Sequence, residues 1–179
     1  MRELIVMSNN RIFWILGPTS SGKTTIGRAY TQYLRDKSLP SIHFDGDEFR
    51  KILGPSLSLS PEDRFKNVSL CVYMANKCFD SGLNVVVSAL TAHEPSREFV
   101  MRNAKNLVLI YLECPIETCK ERDSRGLYSK AERGEISAGS IVGLETPYLI
   151  PKNPHIVLQS NKLSVEESVI QIHDWVLNN

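Results

Sequence analysis

The chain has 179 residues, of which 42% are hydrophobic, so it is long enough to bury one substantial core but short for two domains. Its 21 basic and 20 acidic residues nearly cancel, which excludes a general attraction to nucleic acid or to an anionic membrane surface. No apolar run has the length of a signal-peptide core or a bilayer span, and we expect one cytoplasmic domain, residues 1–179, that acts on small molecules.

The four cysteines lie in otherwise apolar segments. Cys71, Cys78, Cys114 and Cys119 show neither a C-x-x-C spacing nor a neighbouring histidine cluster. Thiols in such segments usually pack as small hydrophobic side chains. The sequence therefore predicts free cysteines rather than disulfides or metal ligands.

A glycine-rich segment follows the first apolar run, residues 12–16, and precedes a helix-compatible segment. The spacing of Gly17, Gly22, Lys23 and Thr24 fits the P-loop pattern G-x-x-x-x-G-K-[ST]. In a P-loop, backbone N–H groups surround phosphate oxygens, the lysine neutralises them and the hydroxyl ligates magnesium. The sequence thus predicts a loop that binds a nucleoside triphosphate, formed by Gly17, Pro18, Thr19, Ser20, Ser21, Gly22, Lys23, Thr24 and Thr25.

Two carboxylates follow the second predicted strand, residues 41–44. Asp45 and Asp47 stand at its carboxyl end, and ligands bind at that edge of open α/β sheets. The Val-rich run at residues 83–89, a third predicted strand, carries no acidic Walker-B residue, and Ser88 stands near its end instead. Asp45 and Asp47 are therefore candidates to help Thr24 hold Mg²⁺. The alternative is an Asp-Gly turn whose carboxylates only cap backbone groups.

A long helix is predicted after a loop at residues 50–59. Ser60 and Pro61 resemble an N-cap followed by proline at the first helical position. Apolar residues recur at spacings of three and four along this helix. Arg64 and Asn67 lie beside that stripe, near the carboxyl ends of the strands, where they can reach a ligand. A solvated helix face is the alternative for both.

The rest of the chain continues the alternation of strands and helices. Residues 107–112 and 155–158 are predicted strands, and Ser164 with Glu167 forms a capping box for a terminal helix. This alternation predicts an α/β fold with a parallel sheet. Residues 121–133 are dense in both charges, as in the mobile lid of a phosphotransferase or, alternatively, a solvated helix pair. Residues 1–10 precede the first fold signal and are expected to be disordered.

Four segments together resemble the adenylyl-sulfate (APS) kinases, up to about residue 154. They are residues 17–25, Asp45-Gly-Asp47 with Arg50, Asp63-Arg64 with Asn67, and residues 122–136, followed by Pro147-Tyr148. The resemblance implies transfer of the ATP γ-phosphate to the ribose 3′-hydroxyl of APS, with Mg²⁺. It also implies a three-layer P-loop fold with a five-stranded parallel sheet, like that of nucleotide kinases, and commonly a homodimer.

The resemblance also implies roles for individual residues. Lys23, Asp47 and Asp45 are the catalytic candidates, and Asp47 with Thr24 are the metal candidates. By this resemblance, residues 121–150 form the lid and the acceptor loop. Arg122 and Arg125 match the part of the lid that is associated with ATP. The positions that match acceptor-binding residues are Asp47, Arg50, Leu59, Arg64, Asn67, Leu90, Thr91, Lys130 and Ile141.

The departures from the family pattern concern the acceptor. Family members usually have phenylalanine at the positions of Leu59 and Ile141, and the two aromatic rings hold the acceptor's adenine. Each lost ring contact is worth about 0.5–1.5 kcal/mol beyond simple burial. A different nucleotide conjugate as acceptor, such as a cytidine diphosphate derivative, is therefore an alternative, and a non-catalytic nucleotide-binding module is another.

Overall fold

The computed structural model describes residues 10–54, 58, 60–136, 141–142, 144 and 148–179. Strands and helices alternate along these residues. The strands are β1 (Ile12–Leu16), β2 (Ser41–Asp45), β3 (Asn84–Ser88), β4 (Leu107–Glu113) and β5 (Ile156–Gln159). The helices are α1 (Lys23–Asp36), α2 (Gly46–Leu53), α3 (Pro61–Asp80), α4 (Glu94–Asn103), α5 (Ile116–Glu121), α6 (Leu127–Glu132) and α7 (Val165–Asn178).

The five strands form one parallel sheet in the order β2-β3-β1-β4-β5. The predicted α/β class with a five-stranded parallel sheet is confirmed. Because β1 lies at the centre, the loop that follows it opens at the middle of the sheet's carboxyl edge. β3 separates β1 from β2, and the register of β2 with β3 pairs Asp45 with Ser88 at that same edge.

Both faces of the sheet are covered by helices, which gives the three layers expected of a P-loop kinase. Alternate residues of β1 point to opposite faces. Trp14 packs with residues of α3 and α4 such as Val72, whereas Phe13 packs with residues of α1 and α7 such as Tyr30 and Ile172. Each side chain of this size contributes about 1.5–3 kcal/mol when fully buried. Burial on both faces explains why the three inner strands, β1, β3 and β4, are nearly continuous apolar runs.

The predicted helix starts are present. The Ser60 side chain accepts a hydrogen bond from Asp63 N, and Pro61 occupies the first helical position of α3. Ser164 and Glu167 form the reciprocal capping box of α7. These caps satisfy backbone donors that would otherwise lack intrahelical partners.

The predicted loop at residues 50–59 is wrong in its first part, because α2 continues to Leu53. Asp45 caps this helix, acidic residues fill its first turn and Arg50 and Lys51 its last turn, an order that suits the helix dipole. The helix ends at Gly54, whose φ of 82° is accessible mainly to glycine. The prediction failed because the serines and Pro55 that follow this short helix in the sequence are typical of loops.

The cysteines are free, as predicted. No helix in the described part of the chain combines the length and the hydropathy needed to cross a bilayer. The expected disorder of the N-terminus concerns residues that, apart from Asn10, lie outside the described ranges.

Candidate active site

A cleft of about 780 Å³ opens at the carboxyl edge of the sheet. Its floor is the P-loop and the first turn of α1, one wall is made by α2 and the start of α3, and a third side comes from the segment before α6. The described residues that line it include Thr19, Ser20, Gly22, Lys23, Thr24, Thr25, Asp45, Asp47, Arg50, Arg64, Asn67, Ser88, Leu90, Thr91, Arg122, Arg125 and Ile141. The fold therefore brings most of the predicted site residues into one space.

The P-loop requires glycine at two positions. A Cβ at Gly17 would lie 2.8 Å from Leu112 O and 2.9 Å from Ser21 Oγ, so β4 leaves no room for a side chain. Gly22, with φ of 96°, is the N-cap of α1. A bare backbone at this point exposes the N–H groups of the first turn of α1 to an anion in the cleft.

Lys23 lies at the base of the cleft. Its Nζ donates to Gly17 O at 3.0 Å and to Pro18 O at 2.5 Å, so the ammonium is held across the loop. Burial lowers the pKa of Lys23 to about 8, and the nearby Asp47 carboxylate partly opposes this shift. An ammonium that has lost much of its hydration in this way binds phosphate oxygens strongly.

Asp45 connects the P-loop helix to α2. Its Oδ2 accepts a 2.6 Å hydrogen bond from Thr24 Oγ1, and its Oδ1 accepts one of 2.8 Å from Asp47 N. The carboxylate is buried at the cleft floor. The Asp45 carboxylate therefore caps α2 and also contacts Thr24, whereas its role at a metal stays a prediction. The assignment of Asp47 as the metal partner of Thr24 stays a prediction, and the carboxylate that contacts Thr24 is Asp45.

Asp47 instead faces the segment between α5 and α6, which is the predicted lid. Its Oδ2 forms an ion pair with Arg125 Nη1, and both side chains are about half exposed. Arg122 also borders the cleft, while its Nη2 donates to Ser160 O at 3.0 Å. The two predicted ATP-associated arginines thus stand on the lid side of the cleft, one of them directly against a predicted catalytic carboxylate.

The acceptor-side candidates form the opposite wall. Arg50 Nη1 donates to Ser58 O at 2.7 Å, and burial together with the Arg50 cation lowers the pKa of Arg64. Asn67 is buried and its Nδ2 donates to Gly46 O at 2.9 Å. Its Oδ1 has no hydrogen-bond partner among the described residues, which leaves one acceptor atom on this wall.

Two of the acceptor-side candidates fall outside the described cleft lining or outside the described residues. Lys130 is exposed on α6 and is absent from the described lining of the cleft. Leu59 lies outside the described residues. Ile141 is 3% exposed and borders the cleft as an aliphatic surface packed near Tyr128.

Sequence reasoning missed two supports of the P-loop. Ser88 Oγ donates to Lys23 O at 2.9 Å, and because its single proton is used there, it accepts from His43 Nε2 at 2.9 Å. Tyr128 of α6 donates to Thr19 O at 3.0 Å from a position that is 1% exposed. Two features of the sequence hinted at these contacts. One was a serine, Ser88, at the end of a predicted strand, and the other was a tyrosine, Tyr128, within the charged segment predicted to be a lid.

A model of the adenylylsulphate kinase family matches residues 9–159, which include the whole cleft. The chain belongs to this family.

Curated members of the adenylylsulphate kinase family align over nearly the full chain. The adenylyl-sulfate kinase of Clostridium kluyveri is 32% identical over 177 residues, which cover 98% of this chain and 88% of that protein. The adenylyl-sulfate kinase of Rippkaea orientalis is 37% identical over 159 residues, which cover 89% and 87%.

A solved structure of the family matches in fold as well. The Mycobacterium tuberculosis APS kinase CysC, in complex with AMPPNP and APS, superposes with a TM-score of 0.85 at 27% identity, covering 94% of this chain and 98% of that one. Shikimate kinase from Acinetobacter baumannii superposes with a TM-score of 0.61 at 19% identity, a likeness of fold alone.

Proposed function

We propose that this family member is a magnesium-dependent kinase that transfers the γ-phosphate of ATP to the 3′-hydroxyl of adenylyl sulfate. The observation that carries the proposal is the single cleft in which the P-loop, with Lys23, faces a wall that carries Arg50, Arg64 and Asn67. Asp47 lies close enough to both Lys23 and Arg64 for its charge to favour the protonated form of each. The similarity to an APS kinase in complex with AMPPNP and APS supports this division into a donor half and an acceptor half.

The donor half suits a triphosphate. Lys23 would exchange its bonds to Gly17 O and Pro18 O for phosphate oxygens, and the start of α1 adds the positive end of its dipole. Arg125 can neutralise charge on the transferring group from the lid side. Phosphoryl transfer depends mainly on positioning and electrostatics, so these groups account for much of the required catalysis.

The donor set at the cleft floor fits Mg²⁺. Thr24 Oγ1 and Asp45 Oδ2 are 2.6 Å apart and both are hard oxygen ligands, which magnesium prefers, and protein sites for this ion usually supply one or two such groups beside phosphates and water. Thr24 and Asp45 would hold the ion, with Asp47 near it. When bound, the ion would neutralise charge on the β- and γ-phosphates.

The acceptor half suits an anion with a ribose hydroxyl. The pKa of Arg64 is lowered because it is buried and faces the like charge of Arg50, a repulsion that a negatively charged acceptor would relieve. Asp47 would orient or deprotonate the acceptor hydroxyl once its pairing with Arg125 is released. Buried Asn67 offers its free Oδ1 as an acceptor for a ligand donor.

The test is a product assay by mass spectrometry with Mg-ATP and APS. The wild type should add one phosphoryl group to APS, and Lys23→Met should abolish this without loss of folded structure. Lys37→Met, an exposed lysine at the other end of α1, is the matched control and should retain activity. ATP binding without any phosphorylated APS would refute the proposal.

A second candidate function keeps the chemistry and changes the acceptor. The aliphatic Ile141 at the cleft favours it, because it offers no aromatic face to a purine ring. The alternative acceptor is another nucleotide conjugate, such as a cytidine diphosphate derivative. A competition panel decides between the two: APS outcompeting every pyrimidine conjugate would remove this candidate. Phosphorylation of any acceptor, if it is lost in Lys23→Met, would exclude the alternative that the protein is a non-catalytic nucleotide-binding module.

We also propose that the protein is a homodimer in the cytoplasm. The resemblance to APS kinases supports a homodimer, which light scattering on the purified full chain would test against a monomer. Four free cysteines suit a reducing compartment, in keeping with a cytoplasmic enzyme.

A further inference from the structure

The cleft contains a strained residue directly after β3, where Ala89 lies beside Gly46 and Asn67 of the wall proposed to bind the acceptor. Leu90 and Thr91 line the cleft, and Thr91 has φ of 40°. A β-branched residue is rarely found in this left-handed region, and such a conformation persists only where surrounding contacts hold it. The contacts that hold Thr91 therefore shape this wall of the cleft.

Three hydrogen bonds from outside the described cleft lining hold these two residues. Trp14 Nε1 donates to Thr91 Oγ1 at 2.9 Å, and Arg97 Nε donates to Thr91 O at 2.8 Å. Tyr148 OH donates to Leu90 O at 3.1 Å. Trp14 is a core residue of β1, whereas Arg97 lies on α4 and Tyr148 lies before β5.

Arg97 is an unusual residue for its position. Its side chain is 3% exposed, its Nη1 and Nη2 have no hydrogen-bond partner among the described residues, and the nearest carboxylate oxygen, on Glu94, is 3.8 Å from Nη1. A buried guanidinium with so little compensation costs stability. Its Nε donates to the carbonyl of the strained Thr91, and the Tyr148 hydroxyl also lies beside the guanidinium.

Tyr148 keeps Arg97 in that orientation. The guanidinium lies 5.0 Å from the centroid of the Tyr148 ring, and this ring stacks on Tyr111 with a centroid separation of 6.0 Å and an interplanar angle of 7°. The Tyr148 hydroxyl also lies beside the backbone amide of Gly17. Tyr148 therefore lies close to both the P-loop and Leu90, whereas the hydrogen bond of Arg97 to the described cleft lining goes to Thr91 O.

We propose that Arg97 is a positioning residue that fixes Leu90 and Thr91 and thereby sets the affinity for the acceptor and not for ATP. The inference rests on the proposed function for its kinetic readout, because it needs the acceptor that the wild type uses. It assigns a selective role to a residue that lies outside the described lining of the cleft. A structural role alone would affect both substrates and the melting temperature together.

The kinetic test compares two arginines of the same helix. Arg97→Met keeps the length of the side chain and removes the hydrogen-bond donor. It should raise the KM for APS about tenfold, which is the effect of losing one charged hydrogen bond, while the KM for ATP stays within about twofold. Arg102→Met is the matched control, because Arg102 is exposed on α4 and pairs only with Glu98 among the described residues. Arg97→Lys should recover part of the loss, since its ammonium can approach Thr91 O.

An unchanged KM for APS in Arg97→Met, or an equal rise in both KM values, would overturn the inference. Arg97→Lys supplies a milder second variant in case Arg97→Met does not fold. It should raise the KM for APS by several-fold while the KM for ATP stays within about twofold, and an unchanged KM for APS would also count against the proposal.

A second readout is independent of the acceptor. Deuterium uptake of the peptide that covers residues 89–93 should increase in Arg97→Met and not in Arg102→Met. If the wild type fails to phosphorylate APS, the proposed function fails, but this comparison still decides whether Arg97 holds the wall. Uptake equal to the wild type in both variants would refute it.

Discussion

Thr24 and Asp45, 21 residues apart in sequence, share a 2.6 Å hydrogen bond at the floor of the cleft. The second oxygen of the same carboxylate caps α2 through Asp47 N. One buried side chain thus fixes the start of the P-loop helix relative to the helix that carries Asp47. A change at Asp45 should therefore affect chemistry more than folding, provided that the hydrogen bonds survive.

Asp45→Asn tests this separation. The amide oxygen can still accept from Asp47 N, and the amide NH2 can donate to Thr24 Oγ1, so the melting temperature should change little. Loss of the negative charge beside Thr24 should lower kcat by about 100-fold or more. The measurement is kcat at saturating substrates across a Mg²⁺ titration. Asp36→Asn, at the exposed end of α1, is the control and should behave as the wild type. A normal kcat in Asp45→Asn would contradict the assigned role.

The pH dependence of nucleotide binding should follow Lys23. Its pKa is lowered to about 8 by burial, and phosphate oxygens favour the charged form, so ATP binding should take up a proton above pH 8. The affinity for AMPPNP should be nearly constant below pH 8 and fall by up to about tenfold per pH unit above it. Calorimetry in buffers of different ionisation enthalpy measures both the affinity and the proton uptake.

The same shift predicts the effect of Lys23 on stability. Between about pH 8 and the ordinary lysine value of 10.5, the unfolded chain binds more protons at this site than the free folded protein, so the Lys23 contribution to stability rises with pH in that window. Lys23→Met should abolish this contribution and the linked proton uptake. Proton uptake that persists in Lys23→Met would assign the effect to another group.

Tyr128→Phe tests the connection between the lid and the P-loop. The hydroxyl donates to Thr19 O, while the ring packs in a small cluster with Cys114 and Cys119 that the phenylalanine preserves. The free energy of unfolding should fall by about 1 kcal/mol, and the KM for ATP should rise several-fold because the loop is less firmly held. Denaturant unfolding and steady-state kinetics measure the two effects. Tyr73→Phe, on an exposed face of α3, should change neither; an unchanged KM for ATP in Tyr128→Phe would refute the coupling.

Gly27→Ala should destabilise the protein although alanine favours helices. A Cβ at this position of α1 would lie 2.4 Å from Ser88 Oγ and 2.7 Å from His43 Nε2. The clash should cost about 1–3 kcal/mol and should outweigh the helix-propensity gain of about 1 kcal/mol. Thermal unfolding provides the measurement, and adding Ser88→Ala should recover part of the loss. If Gly27→Ala is as stable as the wild type, α1 can shift without a cost in the free energy of unfolding, and the prediction is wrong.

Much of the fold was predictable because its signals are local. The P-loop spacing, the Ser60-Pro61 cap and the capping box at Ser164 each depend on a few neighbouring residues, and the structure contains all three. The start of α2 was missed although Asp45 is a good N-cap, because the turn signals after Gly54 suggested an irregular segment. Short helices depend on tertiary packing, which such local signals do not contain.

The sequence by itself predicted that a P-loop follows the first strand and that carboxylates and arginines from later segments would lie near it. Local backbone geometry and side-chain periodicity carry that information. The tertiary structure decided which carboxylate contacts Thr24, that Arg125 pairs with Asp47, and that Arg97 and Tyr128 support the cleft from behind. Those pairings follow from strand order and helix packing, which bring residues together across 6 to 109 positions of the chain, and no local pattern encodes them.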